Sequence, residues 1–193
     1  MIVVLGRPWL ALDGVEPRPA GLAARIALAA HAAGGRVELV GSVGDDENGD
    51  RLALALGRAG IGHAALLRIP GATTPTGPAD AQPRLDPRDV DLGLRYVPDC
   101  RVLVLAEAPA PEVESVALEA GRYHGAHVVA VVPAGAEPRD ALVSATVLEA
   151  PGPEGEGAFA ELVGRYAAGL AEGRDAATAF ADARSTVGWA RQA

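Results

Sequence analysis

Ala33-Gly34-Gly35-Arg36-Val37-Glu38-Leu39-Val40-Gly41, followed by Val43-Gly44-Asp45-Asp46-Glu47-Asn48-Gly49 and then Ala59-Gly60-Ile61, is the stretch on which the fold of this chain turns. A run rich in alanine and leucine with good helical propensity, Gly21 to Ala33, leads into it, and a second, Gly49 to Ala59, fills its latter half. Between the two, Arg36 to Val40 has the length and apolar character of a buried strand. Asp45 or Asp46 can cap the helix that follows, because a short carboxylate accepts from the N–H groups a helix leaves free at its start. Gly44 and Gly49 permit tight turning and close packing. The stretch therefore reads helix, turn, strand, turn, helix.

Outward from it the alternation continues. Strand-like runs lie at Ile2 to Leu5, Ala64 to Ile69, Val102 to Ala106, Val128 to Val132 and Ala145 to Leu148. Most are continuously apolar, as strands of a parallel sheet covered on both faces must be. Helical runs separate them at Pro111 to His124 and Phe159 to Glu172, and the chain closes on two consecutive helices, about Gly157 to Ala171 and Asp175 to Ala190. Gly173 is a natural stop for the first and Asp175 a natural cap for the second. Alternating strands and helices predict a three-layer α/β/α fold on a mostly parallel sheet, with 1–193 as a single domain. The stretch 70–91 holds Pro70, Gly71, Pro75, Gly77, Pro78, Pro83 and Pro87 and is expected to be an irregular, mobile surface loop.

Composition narrows function. The chain has 193 residues, 49% of them hydrophobic, enough for one well-buried core, and no apolar run of membrane-spanning length. Met1 to Leu5 is too short for a signal peptide and reads as the first strand, which sets the cytoplasm as the expected location. A net charge of -8 argues against nonspecific binding to nucleic acid or to an anionic membrane, leaving a small molecule or a protein as partner. All 17 basic residues are arginine, which removes lysine Schiff-base chemistry and the phosphate-gripping lysine of a P-loop. The lone Cys100 permits no intrachain disulfide and is expected at the entrance to a buried strand. His124 and His127, three apart, would share a helix face as metal ligands only if the helix ran through Gly125, and no metal site is expected.

The segment from Gly21 to Ile61 resembles the ribokinase-like (PfkB) carbohydrate and nucleoside kinases, which share its order of helix, glycine turn, strand, G-x-V-G-x-D-x-x-G, helix and final x-G-V. A second match is Pro153-Glu154-Gly155-Glu156-Gly157-Ala158-Phe159 with the two helices after it, similar to the family's Gly-Ala-Gly-Asp turn. The resemblance implies the ribokinase-like fold, a small β lid over the substrate, and ATP with Mg²⁺ as cofactors if activity is retained. It also implies phosphate binding at a helix N-terminus, here Gly155, Gly157 and Ala158, and an aspartate as base. This chain departs from the pattern in several places. The aspartate position holds Ala158 or is deleted, and the lid hairpins are not recognisable, so the lid is expected to be absent or vestigial. Glu154 and Glu156 are the nearest stand-ins for the base, and an active enzyme would have to use one of them or Asp13. Beside an anion site they would repel ATP phosphates unless Mg²⁺ lay between, and their simpler role is to stabilise a helix dipole.

At the substrate end, Ala11 stands near the family's sugar-binding aspartate, with Asp13 two residues later; Ala20-Gly21 and Arg25 replace its di-glycine and asparagine. Arg7, Trp9, Asp13, Gly21 and Arg25 are thus the expected ligand cleft, one that favours a flat or anionic ligand. Three readings follow. The first is a degenerate homologue without phosphotransfer, a pseudokinase serving in small-molecule binding or regulation. The second is a compact, active sugar or nucleoside kinase. The third is a non-catalytic subunit that pairs with itself or with another protein.

Overall fold

The computed structural model describes residues 1–14, 16–152 and 156–188. Six strands form one sheet in the order β5-β4-β1-β6-β7-β8: β1 (Ile2–Leu5), β4 (Val37–Gly44), β5 (Leu66–Ile69), β6 (Val102–Leu105), β7 (His127–Val132) and β8 (Thr146–Glu149). Every pairing in it is parallel, and β1 lies in register between β4 and β6, with Leu5 opposite Val40 on one side and Leu105 on the other. Two further strands, β2 (Trp9–Ala11) and β3 (Arg18–Ala20), make a separate antiparallel hairpin. The helices are α1 (Leu22–Ala32), α2 (Glu47–Arg58), α3 (Pro87–Arg95), α4 (Pro111–His124), α5 (Glu156–Ala171) and α6 (Ala176–Val187).

Alternation along the strands divides the core in two. Ile2, Val4, Leu39, Val104 and Val129 face a layer built from α1, α2, α5 and α6, where Ile26, Leu52, Leu56, Val163 and Ala179 are buried. Val3, Leu5, Val40, Leu103 and Ala130 face α3 and α4 through Val90, Leu94, Val113 and Ala117. A sheet apolar on both faces and covered on both is the three-layer α/β/α arrangement that the sequence pattern predicts. Among the described residues, no helix is long and apolar enough to cross a membrane.

The deciding motif proves to be a knot of polar contacts at the end of β4. Asp46, not Asp45, caps α2: its carboxylate accepts from the N–H of Gly49 at 2.8 Å, and also from the N–H and hydroxyl of Thr74 at 2.8 and 2.6 Å. Asp45 and Asp50 instead meet the guanidinium of Arg68 on β5, which also donates to the carbonyls of Gly44 and Asp46. A Cβ on Gly49 would collide with the carbonyl oxygen of Gly44, so the second motif glycine answers to close approach.

Two expectations need correction. The loop expected over 70–91 ends early, because α3 begins at Pro87 with Asp86 capping it through the N–H of Arg88. The remaining irregular stretch is tied down rather than loose. Thr74 is held by Asp46, Pro75 accepts from the N–H of Leu10, and the buried Ser42 hydroxyl donates to the Pro83 carbonyl at 2.6 Å. It is better described as a strap across the ends of β4 and β1. The expectation that a lid is absent or vestigial agrees with the structure, where the described residues outside the main sheet form only the short β2-β3 hairpin.

At the C-terminus, Asp175 caps α6 as expected, accepting from Thr178, and Gly173 adopts a positive φ between the helices. α6 ends at Val187; the last two residues of the expected helix, 189 and 190, lie outside the described residues. Cys100 is buried just before β6, and burial pushes its thiol up to about 11, so it is inert as a nucleophile at neutral pH. Gly125 terminates α4 in the left-handed conformation, which puts His124 at a helix end and His127 at the start of β7, not on one helix face.

Candidate functional site

Successive strands are laid down outward from β1 in one direction through β4 and β5, and in the other through β6, β7 and β8. The reversal falls between β1 and β6, and the crevice beyond the carboxyl ends of strands at such a point is where open α/β sheets bind ligands. Because Leu5 and Leu105 are register partners, the residues two beyond them, Arg7 and Glu107, emerge side by side at that crevice. Glu107 Oε2 accepts from the backbone N–H of Arg7 at 2.8 Å and from its Nε at 3.3 Å. The Glu107 side chain is only 20% exposed, whereas that of Arg7 is 67% exposed, so the carboxylate is the floor of the crevice and the guanidinium its rim.

Burial pushes the Glu107 carboxyl above its ordinary range, against the pull of Arg7, and the nearby charge of Glu156 adds to the rise. A Cβ on Gly6 would lie 3.1 Å from Glu107 Oε2 and 2.7 Å from the Cβ of Ala23, so glycine there leaves room for the carboxylate to reach the backbone of Arg7.

Two cavities open around this pair. One, of about 330 Å³, is lined by Arg7, Ser42, Glu107, the first turn of α4 and the strap residues Gln82, Pro83 and Arg84. The other, about 230 Å³, lies toward β7 and shares Glu107, Ala108 and Pro109. Its wall carries Glu114, a buried α4 carboxylate that receives Arg139 Nη2 at 2.6 Å, while the same nitrogen donates to the Pro109 carbonyl. Gln82 is oriented by donating to the carbonyls of Ser42 at 2.8 Å and Pro8 at 3.3 Å.

Of the residues expected in the ligand cleft, Arg7 lines the larger cavity. Trp9 is half-buried on β2 and packs over Gly21, where a Cβ would meet the Arg7 carbonyl at 2.8 Å and Trp9 Cδ1 at 2.9 Å. Arg25 pairs with Glu156 at 3.8 Å, which brings the start of α5 beside α1. Asp13 is spent within the hairpin: it accepts from Arg18 at 2.6 and 3.2 Å and is 73% exposed. At the glycine turn, Glu154 and Gly155 lie outside the described residues. Glu156, Gly157 and Ala158 form the opening of α5, and a Cβ on Gly157 would meet nothing within 4 Å, so packing does not require a glycine there. Among the described residues, no group of three or more His, Cys, Asp or Glu side chains is placed to hold a metal ion.

Glu107, Gln82 and Arg84 escaped sequence reasoning. The position of Glu107, just past an apolar strand, was the available signal, since ligand-binding groups in this architecture follow strand ends. Nothing local marks Gln82 or Arg84, which reach the crevice only because the strap is pinned across it.

No protein-family model matches the sequence. A curated protein, bifunctional protein HldE of Halorhodospira halophila (strain DSM 244 / SL1), is 48% identical over 69 residues, which are 36% of this chain and 14% of that protein. The chain thus matches about a seventh of that relative's length. Among solved structures, Arabidopsis thaliana ribokinase complexed with ribose and ATP superposes with a TM-score of 0.68 at 14% identity, covering 96% of this chain and 90% of that one. Halothermothrix orenii fructokinase gives 0.63 at 15%, covering 100% and 99%. Aminoimidazole riboside kinase from Salmonella enterica, complexed with aminoimidazole riboside and an ATP analog, gives 0.65 at 15%, covering 100% and 93%. The fold is that of the ribokinase-like, or PfkB-type, carbohydrate kinases.

Proposed function

We propose that this chain is a ribokinase-like protein that binds a small molecule at the switch-point crevice and does not transfer phosphate. The observation that carries the reading is the contrast between two ends of one site. The crevice has a built polar pair, Arg7 over a half-buried Glu107, bordering a cavity of about 330 Å³. The opening of α5, by contrast, offers Glu156, Gly157 and Ala158 and no aspartate.

Phosphoryl transfer rests almost wholly on positioned groups that neutralise charge and orient the attacking hydroxyl. Here the phosphate end offers the carboxylate of Glu156, close enough to perturb Glu107 in the crevice, and the chain has no lysine to offset them. The residues present therefore fit a nucleotide triphosphate poorly. Arg25 neutralises Glu156 in part, and that pairing suits a structural role at the helix start. The working location for such a protein is the cytoplasm, and its partner a small metabolite rather than nucleic acid or membrane.

The test is isothermal titration calorimetry with ATP and Mg²⁺, with AMP as the blank. No heat at millimolar nucleotide supports the reading. Saturable ATP binding that Glu156→Gln changes would favour a compact kinase instead.

A further inference from the structure

We propose a second, independent ligand site in the cavity between the carboxyl ends of β6 and β7 and the first turns of α4, one that takes a compact primary amine with an apolar body, its ammonium received by Glu114.

This cavity, of about 230 Å³, has only residues 107–109 in common with the larger one, and its ligand class does not depend on how the switch-point crevice is used. Its walls are mostly hydrocarbon, with Leu105 and Val132 from the ends of β6 and β7 and Leu142 from the turn before β8, all buried. Glu114 is the exception. Its side chain is 4% exposed, and one oxygen, Oε2, takes Arg139 Nη2 at 2.6 Å. The other, Oε1, has no protein donor among the described residues. Every fully enclosed side-chain oxygen or nitrogen among those residues does have a partner, so Oε1 reaches open space, and the cavity that Glu114 lines is that space. A carboxylate oxygen facing an apolar cavity selects a ligand with a donor, because one without it leaves the oxygen desolvated and unpaired.

Charge decides between a neutral and a cationic donor. Glu114 and Arg139 form one pair, and Glu107, common to both cavities, is answered by Arg7 on the crevice side. Glu137 also lines the cavity, and no hydrogen bond or ion pair engages its carboxylate among the described residues. The lining therefore carries one negative charge in excess, which a monocation offsets and a neutral alcohol does not. A primary ammonium has three donors, enough to meet Oε1 and turn a second N–H toward Glu137.

The site is fixed before any ligand arrives. Arg139 Nη2 also donates to the Pro109 carbonyl at 3.2 Å, and Glu149 accepts from the Gly135 N–H at 2.6 Å, so the 133–142 segment is tied both to α4 and to β8. Preformed walls spare a ligand the cost of ordering them. An apolar cavity of roughly 150 Å³ takes a benzene ring. A cavity of 230 Å³ accommodates such a ring with a one-carbon amine arm.

The test is calorimetric titration of the whole chain at neutral pH with benzylamine, benzyl alcohol and benzyl methyl ether. Wild type is compared with Glu114→Gln, Glu137→Gln and Arg84→Gln, and circular dichroism confirms that each variant is folded. The expected result is saturable benzylamine binding, with benzyl alcohol weaker by at least about tenfold and the ether weaker again. Glu137→Gln, at an exposed position, should weaken benzylamine by about three- to tenfold and leave benzyl alcohol unchanged. Glu114→Gln should weaken both; if it does not fold, Glu137→Gln decides alone. Arg84→Gln, which borders only the larger cavity, should change neither. Equal affinity for benzylamine and benzyl alcohol, or indifference of benzylamine to Glu137→Gln, overturns the amine assignment. No heat with benzylamine, or indifference of a folded Glu114→Gln, overturns the site itself. Benzylamine binding that Arg84→Gln alters places the amine in the larger cavity and overturns it as well. None of these outcomes bears on phosphate transfer at the crevice, which the ATP titration reads separately.

Discussion

Replacing Asp46 by alanine removes three hydrogen bonds at once, and the structure says how unequal their losses are. Loss of the helix cap, the Gly49 N–H at 2.8 Å, costs about 1 kcal/mol. The Thr74 hydroxyl keeps a second acceptor in the Gly44 carbonyl at 3.3 Å, so its loss is partial. The Thr74 N–H has no other partner, and Thr74 is 1% exposed, so an orphaned buried donor adds about 2 kcal/mol. The total, about 3 kcal/mol, corresponds to a melting temperature roughly 6–12 °C lower for a domain of this size. Asp45→Ala, in contrast, removes a 3.5 Å contact between Arg68 and a 59% exposed carboxylate and should change stability by less than about 0.5 kcal/mol.

The effect of Asp46 also carries a pH signature. Burial pushes its carboxyl up, but the hydrogen bonds from Thr74 and Gly49 and the charge of Arg68 outweigh it and hold the group below the ordinary range. The wild-type advantage over Asp46→Ala should therefore be complete at neutral pH and shrink as pH falls through the native value. Urea unfolding across acid to neutral pH reads both quantities. An Asp46→Ala variant within about 0.5 kcal/mol of wild type, or matched by Asp45→Ala, would refute the reasoning.

Other consequences are simpler to state. Glu107 has the opposite linkage: its carboxyl is raised, so the native state holds its proton longer, and stability is lost as pH rises from the ordinary carboxylate range through the native value. Glu107→Gln should then melt above wild type at neutral pH, with the difference vanishing toward acid; a variant less stable at neutral pH would contradict this. Arg139→Met strands the Glu114 carboxylate, whose side chain is 4% exposed, and should cost about 3 kcal/mol in urea unfolding, partly restored in the Glu114→Gln, Arg139→Met double variant. Gly6→Ala places a methyl against Ala23 and Glu107 and should lower stability by about 1–3 kcal/mol while weakening any crevice ligand; unchanged binding and melting would show that the crevice tolerates the intrusion.

The alternating architecture was legible because parallel strands buried on two faces are written as uninterrupted apolar runs, and Val102 to Leu105 or Val128 to Val132 allow no other economical reading. Caps were legible where one residue stood alone, as at Asp175, but not where two competed: only Thr74, reaching back from the strap, decides between Asp45 and Asp46. The helix α3 was hidden by prolines read as breakers, although Asp86-Pro87 is a cap followed by proline at the first helical position, where its missing N–H costs nothing. In the site, Arg7 was found because it follows the first strand, where the resemblance places substrate contacts. Glu107 lies 100 residues away in sequence and meets it only through the β1–β6 register. Gln82 and Arg84 depend on a strap whose course is set by long-range hydrogen bonds, which no local pattern encodes.

The most direct test of the central claim is a phosphoryl-transfer assay with radiolabelled ATP and Mg²⁺ over a panel of sugars, sugar acids and nucleosides. The account predicts no labelled product and no acceptor-dependent ADP for any of them. A labelled sugar or nucleoside whose formation is abolished by Glu156→Gln would contradict it and make this chain a working kinase.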